Sequence, residues 1–350
     1  MKENWDRRIV PPDQAAMAAA KARWDGIAKP IGSLGLLEDA VIRIAGLTGS
    51  AAVRLEKRAV LVMCADNGVV EEGVSQSGPE VTSLVAGNMT RQDSSVCRMA
   101  KVARAEVFPI DIGMKQPAPG VRDLHIARGT ANMTKGPAMT RAEAENAVRT
   151  GIDLVGELKA QGYSVIATGE MGIGNTTTAS AMLAAFLGMK PETVTGRGAG
   201  LSDDGLRRKV SAIERAIAVN CPDPADGLDV LAKLGGFDIA GMCGTFIGGA
   251  IHRVPILIDG FISAVAALAA VKIAPESRQA MLAAHVSAEP AARMVLEALN
   301  IKPFITAGLR LGEGTGAVAA LPLLDMALAV YNDMVTFDGI GMEAYTPFGT

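Results

Sequence analysis

One unit recurs along the chain: a short apolar run, a turn that contains an acidic residue and glycine, and an alanine-rich stretch. The apolar runs are residues 59–65 (AVLVMCA), 105–110 (AEVFPI), 163–168 (YSVIAT) and 254–258 (VPILI). Near-continuous apolar runs of this length are typical of parallel strands buried on both faces, and the alanine-rich stretches then form crossover helices. The sequence therefore predicts an α/β fold with a doubly wound parallel sheet.

A carboxylate closely follows each of these runs, and the set comprises Asp66, Asp111, Glu170 and Asp259. Ligands of open parallel sheets bind beyond the carboxyl ends of the strands, so we expect these side chains at one edge, around a ligand. The alternative for each carboxylate is that it caps the helix that follows, because helix N-termini favour acidic side chains.

The composition excludes several classes of protein. Of the 350 residues, 49% are hydrophobic, which is enough for a sizeable core, and 34 basic against 37 acidic residues give a net charge of −3. Nothing in this balance indicates a nucleic-acid surface. The cysteines and histidines are scattered, without CxxC pairs or ligand spacing, so the sequence predicts reduced thiols and no protein-bound metal.

The most apolar stretches predict no membrane span. Asp259 interrupts residues 254–271, and Pro322 and Asp325 interrupt residues 317–331. The first ten residues, MKENWDRRIV, are too polar for a signal peptide. Together with the cysteine pattern, these features predict a cytoplasmic protein.

The sharpest local motif is GEMGIGNTTTAS, residues 169–180, which follows a predicted strand and opens a predicted helix. Gly172 and Gly174 let the backbone approach a ligand, and the amides of the first helical turn form a natural phosphate site. Asn175 stands where a Walker A motif needs lysine, and the glycine spacing differs from the dinucleotide fingerprint. The motif therefore favours the phosphate of a smaller ligand, with a purely structural turn as the alternative.

A second glycine-rich loop, GEGTG at residues 312–316, places Glu313 between two glycines. A carboxylate partly removed from water in such a loop can have a raised pKa and act as a general base. Its alternative role is charge complementarity to the following helix.

A third cluster, GRGAGLSDDGLRRK at residues 196–209, offers Arg197 and Lys209 as phosphate partners. A helix start capped by Ser202 or Asp203 accounts for it equally well. His252 and His285 are interpreted as structural or solvent-facing.

The two ends of the chain have helical sequence patterns, in contrast to the alternating strand and helix patterns of its middle. Residues 13–25 and 34–47 have helical patterns, and an alanine-rich segment follows Gly316. We expect both ends to form one small helical lobe, residues 1–39 with 301–350, against a large α/β catalytic domain, residues 40–300.

Seven motifs, in one order along nearly the whole chain, resemble the nicotinate-nucleotide–dimethylbenzimidazole phosphoribosyltransferase family of cobamide biosynthesis. They are KPIGSLGLLE (29–38), ADNGVVEEGVS (65–75), GEMGIGNTTT (169–178), GRGAGL (196–201), DGFISAVAAL (259–268), SAEP (287–290) and LRLGEGTGA (309–317). The resemblance implies a Rossmann-like sheet, a dimer, and transfer of ribose 5-phosphate from nicotinate mononucleotide to an aromatic base. It implies no cofactor.

Carried over by position, the resemblance makes Glu313 the general base and Glu170 a supporting carboxylate near the ribose or nicotinate. It surrounds the phosphate with Gly172, Gly174, Asn175, Thr176, Lys209 and Ser287. It lines the base pocket and ribose site with Ser75, Asp259, Leu311 and Gly312.

Three interpretations remain open at this point. The acceptor is a benzimidazole such as 5,6-dimethylbenzimidazole, with a homodimer as the assembly; or it is phenol or p-cresol, used in complex with a paralogous subunit. The third possibility is a non-catalytic partner subunit that binds nucleotide.

Overall fold

A computed structural model describes residues 5–198 and 200–345. At its centre is one six-stranded sheet of order β3-β2-β1-β4-β5-β6, in which every neighbouring pair is parallel. The strands are β1 (Arg58–Ala65), β2 (Ala105–Gly113), β3 (Arg122–Asp123), β4 (Val165–Met171), β5 (Ile256–Ile258) and β6 (Met281–Ala283). This is the strand order of a doubly wound Rossmann-like sheet, and the predicted fold class is confirmed.

The strands with long apolar runs lie where the sequence predicts them. β1 is buried along its whole length because it pairs with β2 on one side and β4 on the other. β4 begins two residues later than predicted and runs on through Glu170. β3 and β6 were not predicted, since segments of two and three residues carry no periodic signal.

Helices cover both faces of the sheet. They are α1 (Gln14–Gly26), α2 (Leu36–Thr48), α3 (Glu80–Thr90), α4 (Ser95–Val102), α5 (Arg141–Ala160), α6 (Asn175–Leu187), α7 (Pro191–Val194), α8 (Asp203–Asn220), α9 (Gly227–Leu234), α10 (Phe237–His252), α11 (Phe261–Ile273), α12 (Ala292–Ala298) and α13 (Thr315–Asp333). Short 3-10 helices lie at Trp5–Arg8, Gly68–Glu72, Pro275–Ala280 and Asp338–Ile340.

The core has two parts, one on each face of the sheet. Along β1, Leu61 and Met63 belong to the part that packs under α5 and α10, whereas Val60 and Val62 belong to the part that packs under α2, α4 and α13. The alternation follows from the two-residue period of a strand. Because both faces are buried, the ends of the strands are the places where a ligand can enter.

The terminal segments contact one another. Trp24 of α1 and Tyr331 of α13 have ring centroids 4.9 Å apart, and Ile27 forms a β-bridge with Thr336. The helices of both termini belong to the layer on one face of the sheet, and the expected boundary after residue 39 lies inside α2. The division into a catalytic domain and a terminal lobe stays a prediction.

Helix α13 is long and apolar enough to cross a membrane by length and composition. In the fold, however, 56% of that window is buried, and Asp325 on the helix binds the buried Arg58 of β1. These contacts are those of a core helix that covers one face of the sheet.

Candidate active site

A cleft of about 240 Å³ opens beyond the carboxyl ends of β4, β5 and β6. Its walls include most of the residues predicted for the site, namely Glu170, Gly172, Asn175, Thr176, Asp259, Ser287, Leu311, Gly312 and Glu313. The glycine-rich motifs at 169–180 and 312–316 therefore meet across one cavity, although they are far apart in sequence.

Glu170 is the penultimate residue of β4 and is buried in the floor of the cleft. One carboxyl oxygen, Oε2, accepts a hydrogen bond from the Asn175 side-chain amide. Burial and the nearby carboxylate of Asp238 raise the pKa of Glu170 to about 8. At neutral pH this side chain is therefore mainly a protonated acid that a positive charge in the cleft would ionise.

Glu313 projects into the same cleft from a strained turn. Its φ is +61°, and its neighbours Gly312 and Gly314 have φ of +90° and +91°. All three residues have left-handed backbone conformations, in which a side chain costs energy. Glycine on both sides of Glu313 therefore limits that cost to one residue. The turn packs tightly on β4, since a Cβ on Gly169 would lie 2.5 Å from the Glu313 carbonyl oxygen.

The Glu313 carboxylate is half-buried, and its Oε2 accepts a hydrogen bond of 3.2 Å from the Val96 amide in the first turn of α4. Burial raises the pKa of Glu313, the bond to Val96 opposes that rise, and the charge of Asp259 adds to it. A carboxylate with a raised pKa and a fixed position has the properties of a general base.

Asp259 lines the cleft but its oxygens are occupied by the backbone of α13. Oδ1 accepts from the Ala317 amide at 2.9 Å and Oδ2 from the Gly314 amide at 3.3 Å. The Nε2 atom of His285, a buried residue, is 3.6 Å from Oδ1. Asp259 thus accepts the free backbone N–H groups at the start of α13, the helix that follows the Glu313 turn.

The remaining two carboxylates of the predicted set do not line the cleft. Asp66 accepts hydrogen bonds from Thr82 and the Lys115 amide, and Asp111 binds the Met114 amide and Arg128. Both fix loops at the edge of the sheet. The expectation that all four acids surround one ligand is therefore wrong, because Asp66, directly after β1, and Asp111, near the end of β2, anchor the neighbouring loops.

The start of α6 forms the opposite wall, with Gly174 as its N-cap residue at φ +95°. Behind Thr176 lies Lys209, whose Nζ donates to Thr176 Oγ1 at 2.8 Å and to the Gly196 carbonyl at 3.1 Å. Lys209 is 1% exposed, and burial lowers its pKa to about 8. The two hydrogen-bond acceptors of this buried ammonium, a hydroxyl and a carbonyl, do not neutralise its charge. The ammonium therefore favours the binding of an anion at the start of α6.

Three of the predicted site residues are outside the cleft walls. Lys209 and Gly174 lie directly behind them, at Thr176 and at the start of α6. Ser75 lies in the loop before α3, where its Oγ accepts from the Ser77 amide. Its role in the base pocket stays a prediction.

Sequence reasoning missed several residues of the cleft and its support, among them Arg310, His285 and Asp238. Arg310 is exposed and is the only lysine or arginine among the wall residues in the described part of the chain. His285 lies in the wall, where the absence of a side chain on Gly316 makes room for its ring. Asp238 lies beneath Asn175. Arg310 lies inside the recognised motif at 309–317 but was not assigned a role there, whereas the other two carry no local signal.

No group of three or more His, Cys, Asp or Glu side chains among residues 5–198 and 200–345 is arranged to hold a metal ion.

The fold and the cleft define a Rossmann-like α/β protein with a small-molecule site at the carboxyl ends of its strands. A family model described as phosphoribosyltransferase matches residues 9–342. Proteins named nicotinate-nucleotide–dimethylbenzimidazole phosphoribosyltransferase are similar to the chain over nearly its whole length. The protein from Ruminiclostridium cellulolyticum is 47% identical over 333 residues, 95% of each chain. The one from Escherichia coli is 45% identical over 325 residues, 92% of this chain and 90% of the relative.

A solved structure agrees with these relatives. The crystal structure of CobT from Thermus thermophilus has a TM-score of 0.88 and 40% identity, covering 95% of this chain and 100% of that chain. The chain belongs to the nicotinate-nucleotide–dimethylbenzimidazole phosphoribosyltransferase family, as its motifs predict.

Proposed function

We propose that the protein transfers ribose 5-phosphate from nicotinate mononucleotide to 5,6-dimethylbenzimidazole, giving nicotinate and an α-riboside 5′-phosphate for cobamide assembly. The printed names of its relatives and the chemistry of the cleft support this reaction. The observation that carries the proposal is Glu313, a half-buried carboxylate of raised pKa that a turn with positive φ holds in the cleft.

The chemistry requires one base. As the glycosidic bond breaks, the ring nitrogen of the departing pyridinium takes the electron pair and becomes neutral, so the nicotinate leaving group needs no proton. One ring nitrogen of the acceptor bonds to C1 of the ribose with its lone pair, the other ring nitrogen loses its N–H proton, and Glu313 takes that proton. The protein's other tasks are to orient the two substrates and to stabilise positive charge on the ribose.

The cleft separates these tasks in space. The 5′-phosphate binds at the start of α6, near Gly172 and Thr176, with the Lys209 ammonium behind. Glu170 lies between this end and the Glu313 turn, where an ionised carboxylate stabilises the developing positive charge of the ribose. The predicted contributions of Ser287, Leu311 and Gly312 fit the same arrangement, because all three lie in the cleft walls.

The assembly and location belong to the same proposal. We infer a homodimer in the cytoplasm that works without a cofactor. The relatives bearing the dimethylbenzimidazole name favour that acceptor over phenol or p-cresol. A paralogous partner subunit is not needed for a chain that contains both the phosphate end and the base.

Glu313→Gln tests the proposal, because the amide has the same size but cannot take a proton. We expect kcat to fall about 10²- to 10⁴-fold, the usual contribution of a general base, with little change in KM. Glu56→Gln is the matched control, since Glu56 is a surface residue paired with Arg54. Unchanged turnover in Glu313→Gln would refute the assignment.

A further inference from the structure

The Asn175 side chain joins two buried carboxyl groups. Its Nδ2 donates to Glu170 Oε2 and, at 3.0 Å, to Asp238 Oδ2. An amide nitrogen carries two hydrogens, so both are used. The Asn175 backbone amide donates to the Gly172 carbonyl at 3.1 Å. The donors of Asn175 are therefore engaged within the protein, although the sequence predicts this residue to bind the phosphate.

Asp238 is the second residue of α10 and is fully buried. It belongs to none of the motifs by which the family is recognised. Its connection to the cleft runs through Asn175, because Asn175 is among the wall residues and Asp238 lies behind it.

Two glycines make room for this arrangement. A Cβ on Gly172 would lie 2.5 Å from Asp238 Oδ2, and a Cβ on Gly312 would lie 2.6 Å from Glu170 Oε1. Gly312 is part of the cleft wall, so the oxygen of Glu170 that Asn175 leaves free lies on the cleft side. Substituting either glycine would displace a carboxyl group.

We propose that Asp238 is a positioning residue: through the Asn175 amide it fixes Glu170 with Oε1 turned to the reacting ribose. The inference rests on the proposed phosphoribosyl transfer and deepens it. Without Asp238, Asn175 loses one of its two anchors, and the Glu170 carboxyl is free to rotate away from the ribose.

The charges around Glu170 and Asp238 affect the protonation state of both carboxyl groups. Cys64 and Asp66 face them from β1 and the loop beyond, and Asp259 and Glu313 face them from the other side of the cleft. Among the described residues, the main charges acting on the pKa of Glu170 and of Asp238 all belong to carboxylates. Burial raises the pKa of both carboxyls, and the charge of Asp238 raises that of Glu170 further.

A second observation also disfavours the ionised form of Asp238. Among the described residues, Asp238 Oδ1 and Asn67 Oδ1 are both buried without a hydrogen-bond partner. Both lie within 2.4 Å of the position that a Cβ on Gly236 would take. Two acceptor oxygens converge there, so ionisation of Asp238 adds to their repulsion and this contact, like burial, raises the pKa of Asp238. The pair thus titrates as a unit, and the cationic pyridinium of the nucleotide favours its ionised form.

The test compares Asp238→Asn with Asp238→Ala. The asparagine keeps an oxygen acceptor for Asn175 but removes the charge, so kcat should stay within about threefold of wild type at high pH. Because the pKa of Glu170 then falls, the acid limb of kcat/KM should move to lower pH. Alanine removes the anchor, and kcat should fall about 10²-fold at every pH, as for a misplaced group.

Equal losses in both variants with an unshifted pH profile would overturn the proposal, because a structural role alone predicts that result. Thermal melts show whether each variant folds. If Asp238→Ala does not fold, the pH profile of the isosteric Asp238→Asn still tests the proposal. Infrared spectroscopy gives a readout without turnover: the band of a protonated carboxyl near neutral pH should vanish in Glu170→Gln and weaken in Asp238→Asn. Wild-type product formation tests the proposed function separately. An unaltered band in Asp238→Asn would contradict the coupling of the two groups.

Discussion

Asp259→Ala tests whether the carboxylate of Asp259 anchors the Glu313 turn. In the structure its oxygens accept hydrogen bonds from the Gly314 and Ala317 amides, and all three residues are buried. Alanine would leave both amides without an acceptor and out of reach of water. An unsatisfied buried donor costs about 1–3 kcal/mol, so the two together predict a loss of about 2–6 kcal/mol in the free energy of unfolding.

Urea unfolding followed by circular dichroism measures this loss as a lower midpoint at an unchanged slope. Asp13→Ala is the matched control, because Asp13 caps α1 through the Ala16 amide at 3.0 Å, on an exposed helix end. That variant should lose about 1 kcal/mol and keep full activity.

The two variants should differ most in turnover. Losing the anchor at Gly314 frees the turn that holds Glu313, so Asp259→Ala should lower kcat about 10²-fold under conditions where it is folded. A stability loss below about 0.5 kcal/mol, the range of ordinary surface substitutions, would refute the anchoring role.

Two further variants probe the phosphate end and the packing beneath the base turn. Lys209→Met should raise the KM for nicotinate mononucleotide about 10- to 100-fold with little change in kcat, because it removes the buried ammonium at the phosphate end. Burial holds the pKa of Lys209 at about 8, so wild-type kcat/KM should fall as the ammonium loses its proton above that pH. The variant should lack this alkaline limb, and a limb that persists would contradict the role of Lys209. Gly316→Ala would place a Cβ 1.9 Å from Cδ2 of the buried His285 ring, and should cost about 1–3 kcal/mol in urea unfolding. Gly26→Ala, with no atom within 4 Å of its Cβ, is the control, and equal midpoints for both variants would contradict the packing argument.

The sequence was sufficient for four of the six strands and for the two glycine-rich loops, because their signals are local. An apolar run such as 59–65 indicates a buried strand by itself, and paired glycines around Glu313 indicate a turn that ordinary residues cannot form. Elements without a local sequence signal were missed for the same reason. β6 has three residues, and it exists because β5 and the helices around it create a place for it.

The partners of buried polar groups were beyond the reach of sequence patterns. Asn175 stands in a motif that predicts phosphate binding, yet its amide binds Glu170 and Asp238, and the latter is 63 residues further along the chain. Asp66 and Asp259 follow similar strands, but only the second lies in the cleft. Which acid caps a local element and which meets a ligand depends on the loops that tertiary packing brings beside it.

The most direct test of the account uses the purified protein alone, with nicotinate mononucleotide and 5,6-dimethylbenzimidazole, phenol or p-cresol in parallel reactions. Mass spectrometry follows the release of nicotinate and the appearance of each riboside phosphate. The account predicts the α-riboside 5′-phosphate of dimethylbenzimidazole, and its loss in Glu313→Gln. Product from the phenols alone would contradict the proposed acceptor, and no product with any acceptor would contradict the proposed function.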